Sequence, residues 1–301
     1  MPCFRPLKGF RAPHPNANGK FPMVFDRAGA AVIPCGWCVG CQLDKARTWA
    51  VRCYHEASLY AQNCFVTLTY RDEFLPPFGS LQLRDLQLFI KRLRKAYPDS
   101  RPRYFACGEY GEKLGRPHFH LCIFNFDFCD KQFWTERNGY RVFVSESLGR
   151  LWPAGHHEIG EMSFEAAAYT ARYCLKKVKR GVENGYYTRL VPETGELVPV
   201  SPEFTVMSRR PGIGKSWFDR FSSDVFPDDF VVVRGAKVKV PRYYELQLEK
   251  LDSVEFARLK AERFESSQDN RANSTPERLA AREKCSLAKL SLYTRRLDND
   301  A

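Results

Sequence analysis

The sequence predicts an α+β domain with a central antiparallel sheet and flanking helices, preceded by a Cys-rich segment and followed by a charged helical tail. Three observations predict it. Short β-branched and aromatic runs alternate with amphipathic segments in the order strand, helix, strand, strand, variable stretch, strand, helix. Apolar residues make up 44% of the 301-residue chain, enough to bury a core. Turn-rich or strongly charged stretches flank this pattern on both sides.

The elements are justified in chain order. Residues 1–42 are rich in Pro, Gly and Cys and read as an irregular, pinned segment. From Asp44 to about Asn63 the chain reads as helix, with Trp49, Arg52, Cys53 and Glu56 spaced by threes and fours. Cys64–Tyr70 (CFVTLTY) is a strand by composition. A helix from about Leu83 to Tyr97 is stopped by Pro98 and carries Lys91, Arg92, Arg94 and Lys95 outside. Strands over Arg103–Glu109 and His118–Asn125 are joined by a Gly-rich turn, and 156–162 is a further strand. Ser163–Arg180 is a helix. Residues 181–204 are turn-rich, a candidate hairpin. From about Glu245 the chain is charged and helical, interrupted by a polar linker at Ser266–Thr275. The expected organisation is a Cys-rich segment over 1–42, a core over 43–180, a hairpin and basic-loop region over 181–244, and a tail over 245–301.

Lys and Arg outnumber Asp and Glu by 47 to 35, a formal charge of +12. Such a surplus suits a polyanion, because cations that neutralise phosphates release counterions; a merely soluble basic protein is the alternative. Met1-Pro2-Cys3 opens no secretory signal, and no stretch approaches the ~18 apolar residues of a membrane span. Eleven cysteines fit poorly with a complete disulfide framework, so a reducing cytosol is the expected setting.

Arg116-Pro117-His118-Phe119-His120 is the sharpest signal. On a strand, side chains at i and i+2 share a face, so His118 and His120 project together while Phe119 turns to the core. If the preceding strand forms a hairpin with this one, Glu109 lies beside the pair. Two imidazoles and a carboxylate make an open three-ligand site that accepts Mn²⁺, or Mg²⁺ when a phosphate oxygen completes the shell. Such a site can polarise a phosphodiester oxygen. The alternatives are two unrelated histidines and a solvated turn carboxylate.

Tyr169-Thr-Ala-Arg-Tyr173-Cys-Leu-Lys176 is the second. Ser163 can cap this helix and Glu165 suits its first turn. At about 100° per residue, Phe164, Ala168, Ala171, Leu175 and Val178 form one stripe. Tyr169, Tyr173, Lys176 and Arg180 form the opposite one. A phenol, with a pKa near 10, is a weak nucleophile at neutral pH. A nearby ammonium and a metal-bound phosphate favour its phenolate. Attack on a DNA phosphate would give a 5′-phosphotyrosine and free a 3′-hydroxyl. Two such residues one turn apart differ by only about 6 Å along the axis. Two partly exposed surface tyrosines are the alternative.

Taken together, HFH after GEYGEKLGRP, FVTLTY upstream and YTARYCLKK downstream resemble the motifs of HUH replication-initiation endonucleases. The two-tyrosine spacing is similar to that of rolling-circle initiators of small single-stranded DNA phages. With the opening MPC, the CGWC segment and MSRRPGIGKSW, the likeness is greatest to microvirus (gokushovirus-like) initiators. It covers roughly residues 64–180, more weakly 1–42 and 205–217. The resemblance implies a ferredoxin/RRM-like core, His118, His120 and Glu109 as ligands of Mg²⁺ or Mn²⁺, Tyr169 and Tyr173 as nucleophiles, and Lys176 as their accompanying cation. It also implies single-stranded phage origin DNA as partner, host replication proteins as candidate partners, no membrane, and the host bacterial cytoplasm. Thr67 and Thr69 lie in the family's first signature, with an architectural role expected.

Other signals are weaker. Cys35-Gly-Trp-Cys38-Val-Gly-Cys41, with Cys3 as a fourth thiolate, has the spacing of a structural Zn²⁺ site; reduced, uncoordinated cysteines are the alternative. Gly212-Ile-Gly214-Lys215-Ser216 is not a phosphate loop, since position 209 is Arg where that pattern needs Gly. Arg209, Arg210, Lys215 and Trp217 read better as a DNA-contacting loop, or else as an ordinary basic one. His156 and His157 are expected to be structural or on the surface. Against the nicking enzyme stand a non-enzymatic basic nucleic-acid-binding module and a phosphoesterase without covalent chemistry. Metal dependence separates off the first, a phosphotyrosine adduct the second.

Overall fold

The computed structural model describes residues 3–19, 21–26, 28–111, 114–176, 187–192, 194–226, 228–269 and 271–292, without the side chains of 172–176. The chain divides into two compact units, Met1–Lys45 with Lys260–Thr294, and Ala46–Leu259 with Arg295–Ala301.

In the first unit, β1 (Leu7–Arg11), β2 (Met23–Phe25) and β3 (Ala31–Ile33) form a small antiparallel sheet in the order β2-β1-β3. The sequence reading expects irregular structure here. Strands of three to five residues between Pro- and Gly-rich turns are too short to show a period. Helix α1 (Val39–Ala57) starts in this unit and runs on into the second, beginning and ending several residues earlier than its sequence pattern suggests.

The second unit holds the expected α+β core. Its elements are β4 (Asn63–Tyr70), α2 (Leu83–Ala96), β5 (Arg103–Tyr110), β6 (Pro117–Phe124), β7 (Gln132–Arg137), β8 (Tyr140–Val144), α3 (Glu146–Leu151), β9 (Gly155–Glu161) and α4 (Phe164–Lys176). A small hairpin, β10 (Thr188–Leu190) with β11 (Leu197–Pro199), falls where the turn-rich stretch suggests one. β12 (Phe204–Met207) then returns to the main sheet beside β5. Helix α5 (Lys215–Val225), the hairpin β13 (Phe230–Val233) and β14 (Ala236–Lys239), and α6 (Arg242–Leu251) follow. α7 (Ser253–Gln268) leads out of this unit, and α8 (Pro276–Ser291) follows a short break capped by Thr275.

The main sheet has seven antiparallel strands in the order β12-β5-β6-β4-β9-β8-β7. Its central strands are buried on both faces, which is why they read as nearly continuous apolar runs. On one face pack Leu86, Phe89, Ile90 and Leu93 of α2, spaced as one helical stripe, against Val66, Leu68, Phe119 and Leu121. On the other face, Phe65, Phe105 and Cys122, which share one cross-strand row, meet Ala50 and Cys53 of α1 and Ala166, Ala167 and Ala171 of α4. That alternation puts Phe119 on the α2 face and both His118 and His120 on the α1–α4 face.

Candidate metal centre and tyrosine helix

Register places the three predicted ligands. Glu109 on β5 stands directly opposite His118 on β6, and His120 stands between Cys107 on β5 and Thr67 on β4. Glu109 Oε1 lies 2.9 Å from His118 Nε2 and 2.9 Å from His120 Nε2. The donor atoms of all three lie within 4.8 Å of one another. Glu109 is 1% and His120 3% exposed, whereas His118 is only half-buried and marks the open side.

The far ring nitrogens are held by oxygen atoms. His118 Nδ1 lies 3.0 Å from the Arg116 carbonyl, which can only accept, so Nδ1 can keep its proton when Nε2, which otherwise faces Glu109 Oε1 at 2.9 Å, gives its lone pair to an ion. Arg116 is itself anchored to the Tyr70 carbonyl at 2.8 Å and to Asp72 at 2.6 Å. His120 Nδ1 lies 3.0 Å from Thr67 Oγ1, and as a donor to that oxygen it too leaves Nε2 free. Thr67 thus contacts a candidate ligand, beyond the architectural role expected of it.

Burial opposes the charge on Glu109, but the His120 and His118 imidazoles outweigh it and hold the carboxyl down at about 2. Burial also lowers His120, favouring the neutral ring that a metal needs. Glu109 Oε2 is buried with no hydrogen-bond partner among the described residues, and His120 Nε2, though 2.9 Å from Glu109 Oε1, is poorly aligned for a hydrogen bond to it. Orphaned buried atoms of this kind carry a desolvation cost unless something else meets them. A carboxylate and two neutral imidazoles with spare lone pairs fit a divalent cation.

Helix α4 lies over the same face. Ser163 Oγ accepts the Ala166 N–H at 3.0 Å, the predicted cap. The rotation of the helix differs from the sequence reading: its buried residues are Ala166, Ala167, Thr170 and Ala171. Small side chains let the backbone approach the sheet, and Thr170 satisfies its hydroxyl on the Ala166 carbonyl at 2.9 Å. Tyr169 therefore is not opposite the apolar stripe but at its margin, half-buried, with its ring edge-on to His120 at a centroid distance of 5.1 Å. Tyr173 and Lys176 belong to the same helix, and their side chains lie outside the described residues. Val178 and Arg180 also lie outside them.

Residues 63–178, spanning β4 to α4 with all these positions, match the family model of the replication-associated protein ORF2/G2P. Over 260 residues the chain is 36% identical to replication-associated protein VP4 of Bdellovibrio phage phiMH2K, covering 81% of this chain and 76% of that one. The chain belongs to this phage replication-associated protein family. Replication-associated protein ORF2 of Spiroplasma virus 4 is 36% identical over 74% of this chain and 70% of its own length. ORF4 of Chlamydia phage 1 is 26% identical over 73% and 54%. No solved structure matches the chain.

Outside the part that the replication-associated family model matches, the fold assembles the second predicted ligand set. Cys3, Cys35, Cys38 and Cys41 are buried together, with Cys35 Sγ 4.0 Å from Cys41 Sγ and Cys38 Sγ 3.9 Å from Cys3 Sγ. A tetrahedral four-thiolate zinc site with bonds of about 2.3 Å has sulfur–sulfur edges of about 3.8 Å. A disulfide needs about 2.05 Å, so these are four free thiols at metal-ligand spacing. Backbone N–H groups of Phe4, Cys35 and Cys38 point at sulfurs at 3.2–3.3 Å, as electron-rich thiolates attract.

The basic loop is pinned rather than loose. Arg52 donates twice to the Ile213 carbonyl at 2.9 and 3.0 Å while lying over Trp49 and Tyr243. The buried Glu56 carboxylate accepts from Arg103 at 2.5 Å and from the Gly214 N–H at 2.6 Å. Arg209 and Arg210 are exposed, whereas Lys215 pairs with Asp219. Trp217 stacks one face on His55 at 3.6 Å, so that face offers nothing to a base. The loop follows β12, near the Arg103 end of β5, about 20 Å along the strand from Glu109. His156 is exposed on the face of the ligands, one strand beyond Thr69, and His157 takes the Ser145 N–H on the opposite face. No helix among the described residues is long and apolar enough to cross a membrane.

Proposed function

We propose that the chain initiates phage DNA replication as a single-stranded DNA endonuclease that uses tyrosine nucleophiles and a divalent ion, Mg²⁺ or Mn²⁺, held by Glu109, His118 and His120. The observation that carries this reading is the juxtaposition of Tyr169 with His120, a nucleophile type beside an open ligand set on one sheet face. A bound divalent ion supplies Lewis-acid polarisation of the scissile phosphodiester.

The chain's own residues do the rest. Tyr169, or Tyr173 one turn on, attacks phosphorus through its phenolic oxygen. A Tyr Oη–P bond forms, the P–O3′ bond breaks, and the phenolic proton is made good on the departing 3′-hydroxyl. The 5′ end stays on the tyrosine, so the bond energy is conserved, and attack by a 3′-hydroxyl restores a phosphodiester and the phenol. Lys176 favours the phenolate by charge. Arg209 and Arg210 contribute cations to a DNA path remote from the cut. The DNA is a single-stranded phage origin, the compartment is the host bacterial cytoplasm, and host replication proteins are the remaining partners. Cys3, Cys35, Cys38 and Cys41 hold a structural Zn²⁺ in the other unit. The test incubates the protein with end-labelled single-stranded origin DNA and Mn²⁺ and resolves it on a denaturing gel. A labelled protein band is expected, and cleavage with no adduct would replace this mechanism with hydrolysis.

A further inference from the structure

The β7–β8 hairpin lies in none of the predicted ligand or nucleophile positions, yet its surface is unlike the rest of the sheet. Phe133 and Trp134 sit side by side on the edge strand and are 56% and 63% exposed. A bulge between Phe133 and Thr135 leaves Trp134 with no residue opposite it on β8. Bulges of this kind re-aim a side chain away from the ladder. The Arg141 guanidinium lies over both Phe133, at 5.4 Å, and Phe143, at 5.2 Å. A guanidinium beside ring faces can still direct N–H groups at a phosphate oxygen. Of the cations on or beside the hairpin, Lys131 pairs with Asp127 and Arg137 with Glu158, while Arg141 stands across the ladder from Glu136 beside the exposed rings.

Phe133 stands opposite Phe143, and Phe143 opposite Ile159 in the row of Val66 and Leu121, so these rings lie on the α2 face of the sheet, while Arg137 reaches across to the face of the candidate ligands. Arg137 pairs at 2.8 Å with Glu158, which shares a cross-strand row with Thr67 and His120. β7 lies four strands from β6, about 19 Å at the usual strand spacing.

We infer that the β7–β8 hairpin is a binding surface for single-stranded DNA, with bases stacked on Trp134 and Phe133 and Arg141 holding the phosphate beside them. Exposed rings interleaved with cations are the combination that unpaired bases and their backbone require. The inference rests on the reading of the chain as acting on single-stranded DNA, and its test is independent of cleavage.

Anisotropy of 5′-fluorescein oligo(dT), titrated with protein in chelator, reads binding with no cutting. W134A/R141A is expected to raise Kd by about 5- to 150-fold, the range for losing one stacked base. Trp134→Phe should keep most of the affinity, and Trp134→Leu, equally apolar, should lose as much as Trp134→Ala. That Phe–Leu contrast decides the matter even where the double variant folds poorly. A Kd within about twofold of wild type, or equal losses for Phe and Leu, overturns the inference. If these variants bind weakly while wild type forms no phosphotyrosine adduct, the hairpin assignment stands and the nuclease reading falls. An adduct with unmoved Kd gives the reverse.

Discussion

Thr67→Val removes one hydroxyl and keeps volume, β-branching and strand propensity. In the wild type, His120 Nδ1 has Thr67 Oγ1 at 3.0 Å, so a proton on Nδ1 has an acceptor when Nε2 offers its lone pair to an ion. In the variant, a proton on Nδ1 would be buried without a partner, since His120 is 3% exposed. The ring then prefers its proton on Nε2, where Glu109 Oε1 waits 2.9 Å away. Metal binding must move that proton back and meet the cost of a bare buried N–H, about 1–3 kcal/mol. That range corresponds to a loss of about 5- to 150-fold in metal affinity, in keeping with the 10- to 100-fold typical of removing a ligand's hydrogen-bond partner. Isothermal titration with Mn²⁺ measures it directly. Thr67→Ser, which keeps the hydroxyl, should bind like wild type, and the metal-free T67V protein should melt within about 4 °C of it. If T67V binds Mn²⁺ as tightly as wild type, Thr67 does not set the state of His120 and the hydrogen bond is incidental.

His118→Ala or His120→Ala should abolish nicking while leaving most single-stranded DNA binding, because binding rests on many cations and cleavage on one ion; cleavage by the double variant in chelator would remove the metal from the mechanism. Purified protein should carry about one equivalent of zinc, lost with solubility when Cys35, Cys38 and Cys41 become Ser; elemental analysis that finds no zinc in folded, active protein ends that assignment. Tyr169→Phe or Tyr173→Phe alone should leave a detectable nick but fail to release closed circles, and the double variant should leave none. Peptide mapping that finds the adduct on one tyrosine through both rounds would defeat the alternation while keeping the nuclease.

Composition was enough to find β4, β5 and β6 as apolar runs, and helical spacing to find α2 and α4, because each signal lies inside the element itself. The ligand pair was legible for the same reason: i and i+2 on a strand share a face whatever the strand pairs with. Glu109 needed one more assumption, that its strand and the next form a hairpin, and the register grants it. Thr67 could not be assigned this way. Its contact with His120 depends on β4 pairing with β6 across 53 residues, which no local pattern encodes. The rotation of α4 misled for a related reason, since a buried side of Ala and Thr offers no bulky stripe to declare itself. β12 and the β7–β8 hairpin escaped because edge strands are short and half-solvated.

The placement of the ligands on β5 and β6 has a consequence for local opening. Each of these strands is hydrogen-bonded on both sides, so the amide protons around Cys107, Glu109 and His120 can exchange with solvent only when several strands separate together. Helix α4 is not laddered to the sheet by backbone hydrogen bonds and meets it through small side chains, Ala166, Ala167, Thr170 and Ala171 among its described residues. Native-state deuterium labelling should therefore reach the Tyr169 amide well before the ligand strands. The helix proposed to carry the nucleophiles would then loosen without dismantling the strands that hold Glu109, His118 and His120.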